Sequence, residues 1–234
     1  VILQQTRVEQ GASYYQKFLK NYPTIIDLAN ASLDEVYKDW EGLGYYSRAK
    51  NLLATAQIVR DQYNGIFPKV YEEILTLKGI GEYTAAAIAS FAYDQPYSVL
   101  DGNVFRVLSR FFGVEHPIDT TIGKKYFKKL AQDCLDINQP AKYNQAIIDF
   151  GAVICKPQQP FCNNCYFSSD CIAFNEDRIL ELPVKSKKII KQNRYFNFLV
   201  LSNQGKILIQ QRIEKDIWQH LFQFPLIESK NQLL

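Results

Sequence analysis

Four of the five cysteines of this chain lie within one short stretch, at Cys155, Cys162, Cys165 and Cys171. Their spacing is C-x6-C-x2-C-x5-C, and the fifth cysteine, Cys134, stands outside the set. Four thiolates this close together can surround a metal centre. A chain that must bring four sulfur atoms around one centre has few ways to fold there, so this stretch is the strongest constraint in the sequence.

Three chemistries compete for these four cysteines. Disulfides are disfavoured because nothing marks the chain as secreted. Zinc prefers paired C-x2-C knuckles separated by a longer loop, and only one such pair is present. A [4Fe-4S] cluster suits irregular spacing within 17 residues, so the pattern favours iron–sulfur and leaves zinc open. Cys134 follows an apolar helical pattern and is interpreted as an inert core thiol.

A pair of glycines lies upstream, in Leu77-Lys-Gly-Ile-Gly-Glu-Tyr-Thr84. Gly79 and Gly81 let the backbone turn sharply between two helices, which predicts a helix–hairpin–helix. Free N–H groups at the start of the second helix would form an anion site, and a DNA phosphate would bind there without base reading. Hairpin carbonyls can also hold a monovalent cation. An ordinary corner between two helices is the alternative for this pattern.

A lone aspartate, Asp101, lies between an apolar run and a predicted helix, in Val99-Leu-Asp-Gly-Asn-Val104. An aspartate at this position can simply cap the helix. It can also present a carboxylate at a helix mouth that faces a cavity. The position about 20 residues after the hairpin makes the second interpretation attractive, but the pattern alone leaves both open.

The apolar periodicity predicts a mainly helical chain up to about residue 175. Ser32 and Glu35 predict a capping box, and Gly65 is placed to end the helix that carries Leu52, Ala56, Val59 and Tyr63. Further helices are predicted over Glu82–Tyr93 (an alanine-rich and buried one), 104–112, 122–135 and 142–153.

The pattern changes after about residue 184 to that of strands. Residues 195–202 and 206–212 predict two strands joined by a tight turn at Asn203-Gln-Gly205, and 218–227 predicts a third. About 40 residues are too few for an independent sandwich. We therefore expect a second domain that is cut short at Leu234.

The composition sets looser limits on function. An apolar content of 47% with 22% charged residues predicts a packed core and argues against disorder. No run of 18 apolar residues and no signal peptide are visible, so we expect no membrane span and a cytoplasmic location. The net charge of +3 permits nucleic-acid binding without requiring it. The basic residues at positions 185, 187, 188, 191 and 194 are interpreted as a solvated linker.

Together these motifs resemble the helix–hairpin–helix–Gly/Pro–Asp glycosylase superfamily and, within it, the adenine DNA glycosylase (MutY) family. The resemblance covers essentially the whole chain. It is carried by the four cysteines, Leu77–Thr84 and the motifs Leu3-Gln-Gln-Thr6, Trp40-Glu-Gly-Leu-Gly-Tyr-Tyr-Ser-Arg-Ala-Lys-Asn51, Leu100-Asp-Gly-Asn-Val104, Asn144-Gln-Ala146 and Asp149-Phe-Gly-Ala152. Less specific matches, Leu208-Ile-Gln-Gln-Arg212 and 218–225, are similar to the family's Nudix-like C-terminal domain.

The resemblance implies a mainly α fold: a helix–hairpin–helix DNA glycosylase domain over 1–183, with a [4Fe-4S] cluster held by the four cysteines. A linker over 184–194 and the start of a truncated α+β Nudix-like domain over 195–234 would follow. It also implies a monomeric, bacterial, nucleoid-associated enzyme. Its partner would be duplex DNA that contains adenine opposite 8-oxoguanine or guanine, from which it flips out and excises the adenine.

The resemblance also implies roles for individual residues. Asp101 would stabilise positive charge on the sugar, assisted by Tyr83 and Asn103. The implied base-pocket and DNA-binding residues are Leu3, Gln4, Gln5, Tyr45, Arg48, Gly79, Gly81 and Gln145. Among them Gln5 and Tyr45 would wedge into the duplex, Arg48 would support the backbone or the pocket, and Gln145 would contact the flipped base. Core packing is the alternative for Tyr45 and Tyr46.

Two other functions stay open at this point. Endonuclease III-like glycosylase/lyases carry a nucleophilic lysine where this chain has Tyr83, which cannot form an imine. A non-catalytic DNA-binding module with an iron–sulfur cluster is the second. In the adenine glycosylase family a general-acid glutamate immediately precedes the Val-Ile-Leu-Gln-Gln motif, and this sequence starts at Val1. General acid–base help is worth about 10²–10⁴-fold in rate, so we expect the chain as given to be nearly inactive.

Overall fold

The computed structural model describes residues 1–186, 193–214, 216 and 218–231, and the chain is mainly helical. Its helices are α1 (Val8–Asn21), α2 (Ile25–Asn30), α3 (Leu33–Trp40), α4 (Ser47–Gln62), α5 (Tyr71–Thr76), α6 (Glu82–Tyr93), α7 (Gly102–Phe111), α8 (Thr121–Asp133), α9 (Pro140–Val153) and α10 (Ile172–Asn175). Short 3₁₀ turns at Cys162–Asn164 and Ser168–Asp170 lie among the cysteines. Within the described ranges, no helix has the length and apolar character needed to cross a membrane.

The chain divides into two compact units. The first comprises Val1–Pro68, Leu77–Gly79 and Ile190–Leu234, and it therefore holds α1 to α4 and the strands. The second comprises Lys69–Thr76 and Ile80–Ile189, and it holds α5 to α10 together with all five cysteines.

The core of the first unit lies between α1, α2, α3 and α4. Phe18 packs edge-on against Trp40, with ring centroids 5.9 Å apart, and Val36 and Leu53 complete the cluster. Burying each aliphatic or phenyl side chain stabilises the fold by about 1.5–3 kcal/mol. The cluster thus fixes α4, the helix that carries Arg48.

The core of the second unit is built around α7, which contacts α8, α9 and α10. Val104 and Leu108 on α7 pack with Phe127 and Ala131 on α8. This packing places the N-terminus of α7, which begins directly after Asp101, in a fixed frame.

Most predicted helices are confirmed, and their bounds differ by a few residues. The helix Glu82–Tyr93 matches residue for residue. The predicted capping box is confirmed, because Ser32 Oγ accepts from Glu35 N (3.3 Å) and Glu35 Oε2 accepts from Ser32 N (2.8 Å). The helix that follows the loop at 41–46 begins at Ser47, five residues before the apolar stripe that predicted it. Its first turn is polar in sequence, and periodicity therefore gave no sign of it.

The C-terminal segment forms short antiparallel pairs. Its strands are β1 (Tyr195–Phe198), β2 (Ser202–Asn203), β3 (Lys206–Ile207), β4 (Gln210–Gln211), β5 (Phe222–Gln223) and β6 (Leu226–Ser229), paired β1 with β6, β2 with β3 and β4 with β5. The predicted tight turn is confirmed: Gln204 and Gly205 both have positive φ (49° and 75°), as a type I′ hairpin requires. None of the described residues over 193–231 is buried.

The predicted strand lengths are wrong in this segment. Residues 195–202 and 206–212 each break in two because their halves pair with different partners. A single strand over 218–227 is also wrong, since Pro225 lacks an N–H donor and separates β5 from β6. Lys187, Lys188 and Lys191 of the predicted basic linker lie outside the described residues.

The predicted helix–hairpin–helix is confirmed, with residues 77–81 between α5 and α6. Gly79 has φ +75°, and a Cβ added there would meet Asn51 Cβ at 2.7 Å. Gly81 has φ −98°, and a Cβ there would meet nothing within 4 Å. The two glycines therefore differ in purpose: Gly79 is required by the fold, whereas Gly81 keeps space open at the start of α6.

This contrast predicts effects of different size on stability. Gly79→Ala forces a left-handed residue to carry a Cβ and pushes against Asn51, so we expect a loss of about 1–3 kcal/mol in the free energy of unfolding. Gly81→Ala is the matched control: its φ suits any residue and its Cβ position is open, so it should cost less, about 0.5–1 kcal/mol for the poorer N-cap. Thermal or urea unfolding of both variants measures the difference. Equal effects would contradict these separate roles.

Candidate active site and cysteine cavity

Asp101 is the N-cap residue of α7, so the simple structural interpretation of this aspartate holds. Its Oδ1 accepts from the backbone N–H groups of Asn103 and Val104, both at 2.8 Å. Its Oδ2 accepts from Asn103 Nδ2 at 2.9 Å. Because three donors hold the carboxylate and the residue is only partly buried, its orientation is fixed while part of it still meets solvent.

Tyr83 lies in the first turn of α6 and is 46% exposed. Burial raises the pKa of Tyr83, and the negative charge of Asp101 raises it further. The phenol therefore stays protonated at neutral pH and can act as a hydrogen-bond donor. Two of the predicted catalytic side chains thus share one electrostatic environment.

A chain of hydrogen bonds runs from Asp101 to the cysteine loop. Asn103, already bonded to Asp101, accepts at Oδ1 from Arg106 Nη2 (2.8 Å). Arg106 Nε donates to the carbonyl of Cys155 (2.7 Å), and Arg106 Nη2 also donates to the carbonyl of Gly151 (2.6 Å). Burial lowers the pKa of Arg106, but a guanidinium keeps its charge at neutral pH. The orientation of Asn103 therefore depends on a buried arginine that also holds the first cysteine.

Gly151 on α9 is the close contact that permits this arrangement. A Cβ added at Gly151 would lie 2.7 Å from Asn103 Cβ and 3.1 Å from Asn103 O. Such distances leave no room for any other residue. The glycine lets α9 approach the first turn of α7 and brings its own carbonyl to Arg106.

A second arginine, one helical turn further along α7, holds the cysteine loop. Arg110 is 2% exposed, and all its guanidinium nitrogens donate. One of its bonds reaches Cys155 Sγ at 3.5 Å. The others reach the carbonyl oxygens of Lys156 (2.7 Å), Pro157 (3.1 Å), Ile179 (3.1 Å) and Leu182 (3.1 Å). The guanidinium thus ties both ends of the loop to α7.

The four predicted cysteines line one largely apolar cavity of about 460 Å³, together with Cys134 and several phenylalanines. All five thiols are free and partly buried. Burial raises the pKa of Cys134 with a smaller contribution from Asp133, which agrees with its interpretation as an unreactive thiol. Among the described residues, no three His, Cys, Asp or Glu side chains converge closely enough to hold a single metal ion.

The predicted N-terminal site residues lie in the first unit. Leu3, Gln4 and Gln5 form a turn that precedes α1, and Leu3 is 55% exposed. Gln5 has a positive φ of 59°, which is uncommon for a residue with a long side chain. The turn packs against α1, where a Cβ on Gly11 would meet Leu3 Cδ2 at 2.7 Å.

The neighbouring tyrosines of the loop before α4 behave differently. Tyr46 packs on the first core and stacks edge-on with Tyr37 at 5.4 Å, so core packing holds for Tyr46. Tyr45 is 46% exposed and has φ +49°. Arg48, which follows in α4, is buried and donates to five oxygens of this loop and of the N-terminal turn.

Two amide side chains of α9 differ in their roles, because Asn144 is structural and Gln145 is exposed. Asn144 is buried, accepts from Val99 N (2.9 Å) and donates to Ser90 Oγ (2.9 Å), so it fixes the strand-like segment before Asp101. Gln145 is exposed, and its Nε2 donates to Asp149 Oδ1 at 2.8 Å.

Among the described residues, the start of α6 has no side-chain cap; α1, α4, α9 and α10 also lack one, whereas α2, α3, α7 and α8 have one. Its first-turn N–H groups and the positive end of its dipole therefore suit an anion. Glu82, at this end, pairs with Lys128 on α8 (2.8 Å). Both side chains are mostly exposed, so the pair contributes little stability.

Sequence reasoning missed the buried arginines Arg106 and Arg110 and the structural role of Asn144 and Gly151. The signal for the arginines was their i, i+4 spacing on a helix that begins with Asp101. Asn144 and Gly151 belonged to motifs already noticed, but a motif does not say which member is buried.

Comparisons with known proteins agree with this architecture. The family model of the HhH-GPD superfamily base excision DNA repair proteins matches residues 1–144. The adenine DNA glycosylase of Buchnera aphidicola subsp. Baizongia pistaciae is 39% identical over 240 residues, covering 100% of this chain and 66% of that protein. That of Buchnera aphidicola subsp. Acyrthosiphon pisum is 37% identical over 235 residues, covering 100% of this chain and 67% of that protein.

A solved structure of a thermostable thymine-DNA glycosylase is also similar. It has a TM-score of 0.70 and 29% identity, over 75% of this chain and 81% of that chain. The present chain spans about two thirds of the length of the two curated bacterial relatives. With a superfamily match over more than half of its residues and such relatives over its full length, the chain belongs to the adenine DNA glycosylase (MutY) family of the HhH-GPD base excision repair superfamily.

Proposed function

We propose that the protein excises adenine from duplex DNA in which the adenine lies opposite 8-oxoguanine or guanine. The observation that carries this proposal is Asp101, a partly exposed carboxylate held by three N–H donors at the mouth of α7. Family membership supplies the reaction class, and the family's adenine-directed relatives supply the base.

Asp101 performs the central electrostatic step. Breaking the N-glycosidic bond leaves positive charge on the deoxyribose, and a fixed carboxylate next to the anomeric carbon stabilises that charge. The carboxylate is already oriented by Asn103 and the α7 backbone, so little reorganisation is needed during the reaction. Tyr83, held as a neutral phenol, donates a hydrogen bond in the same environment.

The DNA is held through its backbone and opened at the mispair. The uncapped start of α6 with Gly81 takes a phosphate, and the hairpin around Gly79 takes a monovalent cation. Gln5 and Tyr45, both exposed, wedge into the duplex. Leu3, Gln4 and Arg48 belong to the same part of the site, and Gln145 contacts the flipped base. The enzyme acts as a monomer.

The cysteine cavity fits a [4Fe-4S] cluster better than zinc. A zinc ion needs its sulfurs at about 2.3 Å from one common point, whereas an iron–sulfur cube needs them spread around a larger body. The four cysteines lie around the wall of one cavity of about 460 Å³, which offers a cube that room. Arg110 supplies a donor at Cys155 Sγ, which is the kind of hydrogen bond that tunes such clusters. When bound, the cluster cross-links the four cysteines and so braces the loop.

The domain organisation follows from the same family assignment. The glycosylase domain occupies 1–183, a linker 184–194, and residues 195–234 belong to a Nudix-like domain. The segment 193–231 exposes apolar side chains such as Ile209, Ile213 and Phe222, and none of its described residues is buried. A strand segment without a core of its own needs further packing partners, as part of a larger α+β domain would supply.

A lyase activity of the endonuclease III type is not favoured. That chemistry needs an amine that attacks the sugar as a Schiff-base nucleophile. Tyr83 occupies the position of that lysine in the family pattern, and a phenol cannot form an imine.

The charge of Asp101 can be tested without disturbing its cap. Asp101→Asn keeps a good N-cap, because asparagine caps helices as well as aspartate does. We expect a small loss of thermal stability, because Asn103 Nδ2 loses its acceptor at Oδ2, and a loss of adenine release of about 10³-fold, measured under single turnover with the full-length enzyme on a duplex with adenine opposite 8-oxoguanine. Undiminished release by the variant would remove Asp101 from the mechanism.

The phosphate site can be tested with Gly81→Ala, the milder of the two glycine variants. A methyl group in the open space at the start of α6 should weaken binding of mispaired and fully paired duplexes by the same factor, because a phosphate contact reads no sequence. The slope of log Kobs against log salt should stay nearly unchanged, because the substitution removes no Lys or Arg charge. Thr121→Ala, at the start of α8, is the control. Unchanged affinity for Gly81→Ala would refute a phosphate at this position.

The cluster can be tested by colour and composition. Protein purified without oxygen should absorb visible light through sulfur-to-iron charge transfer and contain iron and acid-labile sulfide in equal amounts. Cys155→Ser should lose the absorption, whereas Cys134→Ser, which changes another thiol of the same cavity, should keep it. Colourless protein with stoichiometric zinc, or loss of colour in Cys134→Ser, would overturn the assignment.

A further inference from the structure

Arg48 holds together two segments that are far apart in sequence. Its Nη1 donates to Ile2 O (3.0 Å), Gln4 O and Thr6 Oγ1 (3.1 Å), all in the N-terminal turn. Its Nη2 donates to Leu43 O (3.0 Å) and Gly44 O (3.2 Å), in the loop before α4. Each of the two terminal amino groups of the guanidinium therefore donates to a different segment.

The acceptors of Arg48 flank the two exposed residues with left-handed backbone in these segments. Gln5 (φ 59°) lies between Gln4 and Thr6, and Tyr45 (φ 49°) follows Gly44 directly. A residue with a Cβ is disfavoured in this conformation and persists in it only when the surroundings hold it there. The five bonds of one guanidinium supply such a hold on both residues at once.

Arg48 is not available as a ligand for DNA. It is 9% exposed, and in the described part of the chain it forms no ion pair. Four of its five N–H groups point at protein oxygens, and its Nε is buried with no partner among the residues that the structure describes. Its guanidinium carbon lies 5.0 Å from the Trp40 ring centroid and 5.8 Å from that of Tyr45, so aromatic faces cover it.

We propose that Arg48 is a positioning residue that fixes Gln5 and Tyr45 for insertion into the duplex and makes no DNA contact itself. The inference rests on the proposed function, in which these two side chains open the mispair. A lysine cannot replace the guanidinium, because a single ammonium group lacks the planar fork that reaches both segments. Thr6 contributes to the same arrangement, because its hydroxyl oxygen accepts a hydrogen bond from Arg48.

The first experiment needs no DNA and uses the full-length protein. Hydrogen–deuterium exchange is measured for the backbone amides of residues 2–6 and 43–48 in Arg48→Lys. Exchange should speed up in both segments and stay unchanged in the two cores. Arg60→Lys is the matched control, because Arg60 lies on the same helix and donates to Ala29 O and Asn30 Oδ1 instead. Unchanged exchange in Arg48→Lys, or a uniform rise over the whole chain, would overturn the proposal.

The second experiment measures the consequence for the reaction. Arg48→Lys should lower the single-turnover rate of adenine release by about 10²-fold, which is the effect of misplacing groups that act on the substrate. Arg48→Met should leave the salt dependence of duplex binding unchanged. Loss of a direct phosphate contact would instead make the negative slope of log Kobs against log salt shallower by about 0.9. A lowered slope, or a normal rate of release despite faster exchange, would overturn the proposal.

A milder variant covers the case in which the arginine variants do not fold. Thr6→Val removes one acceptor and keeps the cation, so it should speed exchange over residues 2–6 and lower the release rate by a smaller factor. No change in either quantity would count against the proposal that Arg48 holds the N-terminal turn. If the unaltered enzyme released no adenine at all, the proposed function would fail, and the exchange measurement would still decide whether Arg48 holds these segments.

Discussion

Buried guanidinium groups that bond to carbonyl oxygens hold the irregular segments of this protein. Arg48, Arg106 and Arg110 are each less than one tenth exposed, and none has a carboxylate partner in the described ranges. Irregular backbone leaves carbonyl groups that no helix or sheet satisfies, and a guanidinium offers five donors in a planar fork. Gln5, Tyr45 and Cys155 lie on such segments, and the three arginines let those segments keep one conformation without regular secondary structure.

The two arginines of α7 also link the proposed catalytic residues to the cysteine loop. Arg106 contacts Asn103, which orients Asp101, and it contacts the backbone of Cys155. Arg110 contacts Cys155 Sγ and both ends of the cysteine loop. A displacement of the loop would therefore reach the carboxylate through three hydrogen bonds, which join Cys155 O to Arg106, Arg106 to Asn103 and Asn103 to Asp101. This gives the cysteine region a defined way to influence the proposed reaction without touching the substrate.

Local signals predicted much of this fold. Ser32 with Glu35, the apolar stretch Glu82–Tyr93 and the turn at Gly205 each depend on residues near one another in sequence, and each prediction is confirmed. Arg106 and Arg110 were not predicted, because their i, i+4 spacing does not say whether they meet enough carbonyl groups to be buried. Strand lengths failed for a related reason: each strand ends where its partner changes. Asp101 was predicted as a cap or a catalytic carboxylate, and the geometry shows that a cap does not exclude the other role.

The contact at Gly151 has a consequence for reading genetic variation in this protein. Any side chain there would press on Asn103, and through it on the carboxylate beside it. Gly151 lies on α9 and has no side chain that could take part in a reaction. A missense change at this position would therefore have the same effect as a change in the proposed catalytic carboxylate, although the altered residue carries no functional group.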